Sequence, residues 1–203
     1  MGGRTHARTS AAVSIATALV ALGTLQGSAA DAQNVEAVSS PSRICHGTQP
    51  KGSLTGNARD GFPEETPLDR TLGYVDKLAT GRHSAIYTGM ALDDETATLD
   101  VYRIPSKPFD TAVCEAAEKG VTIRLHDRDI NEKDLNTLLD LISEDMSRWD
   151  GTFNLREAGL DGTGFIEIGV DDPNTAEPIL REALGERNAK YLRVEYAPQA
   201  YLL

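Results

Sequence analysis

The chain lacks a G-x-S-x-G elbow and any reactive-cysteine motif, so neither serine-hydrolase nor cysteine-nucleophile chemistry is indicated and no catalytic residue is expected. Gly162 and Gly164 have no third glycine to complete a phosphate loop, and a strand-like run follows them where a helix should start. They are read as a turn. Cationic side chains are also in deficit: 20 Lys and Arg stand against 31 Asp and Glu, a formal net charge of −11. Such a field repels phosphate backbones and anionic lipid, which argues against nucleic acid and membrane surfaces as partners and favours a role in solubility. No apolar run is long enough to span a bilayer. The best, residues 11–25, is broken by Ser14, Thr17 and Gly23 and falls short of the ~20 residues required.

What the amino terminus does contain is an export pattern. Arg4, His6 and Arg8 precede the uncharged run, and Ala30-Asp31-Ala32 fits the small-residue site of a signal peptidase. Residues 1–32 are expected to be a signal peptide cleaved after Ala32, giving a secreted chain. No cysteine near the cut suggests a lipid anchor, and no Arg-Arg pair suggests export of a folded, cofactor-loaded protein, so no cofactor is expected. In an oxidising compartment the even pair Cys45 and Cys114 predicts a disulfide. It would tie down residues 33–68, where Pro41, Pro50, Pro63 and Pro67 are interspersed with Gly47, Gly52, Gly56 and Gly61 in the composition of a flexible linker.

A short helix is expected over 69–83, capped by Asp69 and striped with Leu72, Val75 and Leu78. A single α+β domain then fills 84–203. It opens with a hairpin whose strands, 85–92 and 96–104, flank Asp93-Asp94-Glu95. Asp110 is placed to cap a helix running to Lys119. Val121, Ile123 and Leu125 alternate as a strand, and Leu135, Leu138 and Ile142 recur at helical spacing behind the cap Asn131, with Ile130 able to staple to Leu135. Phe153 and Leu155 mark a strand, Asp161-Gly162 a turn, and Ile166, Ile168 and Val170 the next strand. Pro178 is read as a first-turn proline, which puts the following cap near Thr175 rather than at Asp172. Leu192, Val194 and Tyr196 finish the order. From Val121 onward the sequence strand, helix, strand, strand, helix, strand is that of a ferredoxin-like split βαβ fold.

Asp127, Asp129 and Asn131 match the first three ligand positions of a calcium loop, but Glu132 stands where glycine is needed and Leu138 where a bidentate carboxylate is needed. Capping explains Asn131, and no metal site is expected. His126 precedes Asp127, yet neighbours in a strand point to opposite faces, so a solvated surface histidine is expected rather than a general base. In the ferredoxin-like reading Arg124, His126, Asn154, Arg156, Glu167, Arg193 and Glu195 all project from the sheet face away from the helices, a candidate docking face. The tail, extended by Pro198, ends in Tyr201, Leu202 and Leu203, apolar residues suited to a protease cleft.

The segments LDVYRIP (99–105), VTIRLHD (121–127) and GTGFIEIGVDD (162–172) resemble parts of secreted actinobacterial proteins, some of which are similar to the proregions of exported serine proteases. That resemblance implies a folding-assistant or inhibitory role toward a protease. No protease domain follows Leu203, so the partner is expected to be a separate extracellular protease or other secreted protein. The expected function is thus a non-catalytic interaction domain. The alternative is a cell-surface or small-ligand binding module, with an apolar pocket between the hairpin and the sheet.

Overall fold

Thr66 holds the start of the first helix through a reciprocal capping box, its hydroxyl accepting from the Asp69 N–H while the Asp69 carboxylate accepts from the Thr66 N–H. Asp69 is therefore the third helical residue, not the cap. In a computed structural model, which describes residues 40–54 and 65–199, the elements are β1 (Arg43–His46), α1 (Pro67–Thr80), β2 (Tyr87–Asp93), β3 (Thr98–Arg103), α2 (Lys107–Ala116), β4 (Thr122–Asp127), α3 (Glu132–Ser143), β5 (Leu155–Leu160), β6 (Ile166–Val170), α4 (Pro173–Leu184), α5 (Glu186–Ala189) and β7 (Leu192–Tyr196). The expected signal peptide and the tail residues Tyr201, Leu202 and Leu203 lie outside the described residues. Among those described, no helix is long and apolar enough to cross a membrane.

The chain is α+β with two small sheets. One has the order β1-β4-β3-β2, the other β5-β6-β7. The element order from β4 onward is the expected one, but β4 pairs with β1 and β3, and β5 to β7 form a sheet of their own. These four strands therefore do not make the single ferredoxin-like sheet. The reason lies upstream: Leu99 and Val101 of β3, both fully buried, offer β4 a parallel partner with an apolar face in register.

The two sheets are variations on one unit. In each, a helix precedes an antiparallel hairpin, a second helix crosses over, and a last strand returns parallel to the middle one. The match extends to register. Leu99 faces Ile123 and Asp100 faces Arg124 in the first sheet, as Ile166 faces Leu192 and Glu167 faces Arg193 in the second. Both hairpins carry a bulge at the same place, between Tyr87 and Gly89 and between Leu155 and Glu157. Each turn opens on an aspartate that accepts from a threonine N–H and hydroxyl, Asp93 from Thr96 three residues on and Asp161 from Thr163 two residues on.

Each unit has its own core. Val75, Leu99, Val101, Phe109, Val113 and Ile123 are fully buried in the first, and Leu135, Ile142, Ile166, Ile168 and Leu180 in the second, burying one face of each sheet under its helices. Asn131 caps α3 as expected, accepting from the Asp134 N–H. Two other helix starts differ. Asp110 does not cap α2, which begins after Ser106; its carboxylate instead takes both Nε and Nη2 of the buried Arg103 at 2.8 and 2.9 Å. Asp172 caps α4 with Pro173 first, leaving Pro178 in the helix interior, where it donates no hydrogen bond.

Part of the region with linker composition is ordered. β1 pairs antiparallel with β4, and Cys45 on β1 stands at disulfide distance from Cys114 on α2, with Cα atoms 5.5 Å apart. The fully buried Glu118 accepts from the backbone N–H groups of Gly52 and Leu54 and from Arg70. A Cβ on Gly47 would stand 1.8 Å from the Glu118 carbonyl oxygen. Glycine there marks close approach of two backbones, not freedom of the chain.

Candidate functional site at the open sheet faces

Strand alternation sends Leu99, Val101, Ile123 and Leu125 into the first core and turns Asp100, Tyr102, Arg124 and His126 to the opposite face. In the second sheet the same alternation turns Glu157, Gly159, Glu167, Gly169, Arg193 and Glu195 away from the helices. Five of the candidate docking residues thus lie on helix-free faces, but on two of them: Arg124 and His126 on the first sheet, Glu167, Arg193 and Glu195 on the second, while Arg156 stands at the bulge of β5 and Asn154 precedes that strand.

His126 is 2% exposed, so it is not a solvated surface residue. Its Nε2 lies 2.6 Å from Asp100 Oδ1 on the neighbouring strand, and its ring stacks on Tyr102 with centroids 4.7 Å apart. Asp127 points the other way, to Arg103 and Ser42, as opposite faces require. The Tyr102 hydroxyl is pushed up by burial and by the Asp100 charge. Above Tyr102 lies the guanidinium of Arg128, 4.7 Å from the ring centroid, and on its far side the ring of Phe165 at 5.6 Å. Arg193 covers Phe165 at 3.7 Å and reaches Asp161 Oδ2 at 2.5 Å.

This is a continuous stack joining the units, with a carboxylate at each end. It is brought about by the β5–β6 turn, residues 161–165, which lies on the first sheet's open face. Arg128 donates to the Thr163 carbonyl at 2.6 Å, and a Cβ on Gly89 would meet the Gly162 carbonyl oxygen at 2.1 Å. With so little exposure, the His126 imidazole is closed to a substrate and serves as a buried hydrogen-bonding spacer. The residues that complete the stack, Asp100, Tyr102, Arg128, Asp161 and Phe165, were not among the sequence candidates. The matched turns Leu92-Asp93 and Leu160-Asp161 were the available signal.

The second open face is different. Glu157, Glu167 and Glu195 stand around Gly159 and Gly169 in a concavity of about 230 Å³. Burial, with Asp161, Glu195 and Glu157 nearby, raises the Glu167 carboxyl above its ordinary value. Arg156 leaves this cluster for Asp171, at 3.9 Å, and Asn154 also holds Asp171 through its backbone N–H.

Among the described residues no group of three or more acidic, histidine or cysteine side chains is arranged to hold a metal. The calcium-loop residues each have another partner: Asp127 takes Arg103 and Ser42, Asp129 takes Lys190 and Tyr191, and Asn131 caps α3. No protein-family model matches the chain, and no curated protein matches it.

Proposed function

We propose that the protein is a secreted, non-catalytic interaction module that docks on another extracellular protein through the open face of its second sheet. One observation carries this reading. Of two corresponding faces in the chain, the first is covered by the turn 161–165, whereas on the second the described residues place Ala197 and the Glu157 side chain against Gly169 and leave the space over Gly159 open. An exposed, concave and charged sheet face is suited to a protein partner. The resemblance to protease proregions narrows the partner to an exported serine protease, which the chain would inhibit or help to fold, with Tyr201, Leu202 and Leu203 entering the cleft. A bond between Cys45 and Cys114 fits an oxidising compartment.

The small-ligand alternative has less support. The hairpin β2–β3 is part of the first sheet, and Leu99, Val101, Phe109 and Val113 fill the space beneath it. To test the docking reading, the purified protein in molar excess is added to a panel of exported serine proteases, with and without residues 201–203. Slowed peptide hydrolysis by at least one protease, weakened by the deletion, is expected. Unchanged activity across the panel would exclude the inhibitory role, and an equal effect after deletion would exclude the tail.

A further inference from the structure

The register match assigns every residue of the first open face a counterpart in the second. Gly89 corresponds to Glu157, Ala91 to Gly159, Asp100 to Glu167, Tyr102 to Gly169, Arg124 to Arg193 and His126 to Glu195. In the first unit this face already holds an occupant, the hairpin turn 161–165. That turn brings its carbonyl oxygens against Gly89 and Arg128, while the Arg128 and Arg193 guanidiniums fill the layer between the faces. The protein therefore contains one worked instance of how this kind of face is docked: by a tight turn, with Arg128 supplied by the receiving unit and Arg193 by the unit that brings the turn.

The second face keeps the strand register and changes both relief and charge. Gly169 replaces the Tyr102 ring, and Ala197 Cβ and the Glu157 side chain lie against it, each 2.6 Å from where a Cβ would be, while the space over Gly159 is open. Three carboxylates, Glu157, Glu167 and Glu195, stand on this face, where Arg193 is the cation opposite Glu167 and feels the Glu195 charge while it donates to Asp161. We propose that this face receives a tight turn of a partner protein carrying arginine or lysine, in the way the first face receives the turn 161–165. The inference rests on the docking function above and specifies the partner's chemistry. A second copy of this chain does not suit the position. Its equivalent turn carries Asp93, Asp94 and Glu95, which would be set against three glutamates.

The test is a titration of the ¹⁵N-labelled full chain with two disulfide-cyclised hairpin peptides, identical except that one carries arginine and the other glutamate at the two residues flanking the turn. Expected are amide shift changes at Gly159, Glu167, Gly169 and Glu195 with the arginine peptide only. Binding should weaken at least tenfold in E157Q/E167Q/E195Q and fall with rising salt. The single variant E195Q, with an unchanged circular dichroism spectrum, is expected to lose several-fold and guards against misfolding of the triple. No shift change with the arginine peptide, or equal affinity in the triple variant, would overturn the inference. So would concentration-dependent self-association in sedimentation with shifts at the same four residues, which would make a second copy the occupant. If the basic peptide fails while a protease is still inhibited, the docking function stands and only its charge preference is lost.

Discussion

The carbonyl oxygen of Gly162 occupies the place where a side chain on Gly89 would begin, 2.1 Å from its Cβ position. This contact sets the two units against each other, and both partners are backbone, so neither can turn aside. Gly89→Ala is expected to cost about 1–3 kcal/mol by overpacking. Gly159→Ala, at a place with no atom within 4 Å, is expected to be neutral or stabilising by up to ~1 kcal/mol. Urea unfolding of the two variants reads the difference, and equal effects would mean that the Gly89 contact does not constrain the junction.

Glu118 is expected to make the amino-terminal segment acid-sensitive. Its hydrogen bonds with Arg70, and then those from Gly52 and Leu54, outweigh burial and hold its carboxyl down to about 2. A folded-state value below the unfolded one gives stability that is complete above the ordinary glutamate range and is lost as pH falls toward 2. The protection of the Gly52 and Leu54 amides, measured against the intrinsic exchange rate at each pH, should therefore fall between about pH 4.5 and 2. In Glu118→Gln that pH dependence should vanish, with a loss of ~3 kcal/mol from breaking the buried Arg70–Glu118 ion pair.

The double variant Cys45→Ala/Cys114→Ala is expected to lose about 2–4 kcal/mol. The loss should be local in its first appearance. Exchange should rise at Ser42 and Gly47, whose N–H groups bond to Leu125 and Val121, before it rises at Ile166 in the second sheet. Simultaneous loss of protection at all three sites would contradict independent cores.

Pro178 interrupts α4 on an exposed surface. Replacing it with alanine restores an N–H and removes the ring from the preceding turn, so Pro178→Ala is expected to stabilise by roughly 1–3 kcal/mol. Thermal unfolding checks the sign; a fall in Tm would mean that the ring makes a packing contact worth more than the helix gains.

Local structure was legible wherever one signal was sufficient. Asn131 before a 3.6-residue apolar stripe specified α3, and alternation placed Ile123 and Leu125 in the core. Three readings failed for a common reason, that the deciding partner is remote in sequence. His126 was assigned to the correct side of its strand, but the turn that buries that side lies near residue 163. The glycines and prolines before residue 68 read as linker because composition does not reveal that Gly47 meets Glu118 or that Cys45 meets Cys114. The pairing of β4 with β3 is hidden because the element order from Val121 onward is that of a complete ferredoxin-like unit, which sets the strand at 122–127 beside strands later in the chain. The cap of α4 was misread by giving Pro178 a helix-start meaning that Pro173 carries.

The cysteine pair also bears on the order of events as the chain is made. Synthesis proceeds from the amino terminus, so Cys45 emerges 69 residues ahead of Cys114. Through that interval β1 has no β4 to pair with, and its thiol remains open to any oxidant or foreign disulfide. The second unit, contiguous from Asn131 to Tyr196, suffers no such delay: each strand finds its neighbour within a short stretch. A refolding experiment that traps thiols at intervals should find the second sheet protected while Cys45 is still alkylatable, which would make the first part of the chain to be born the last to be secured.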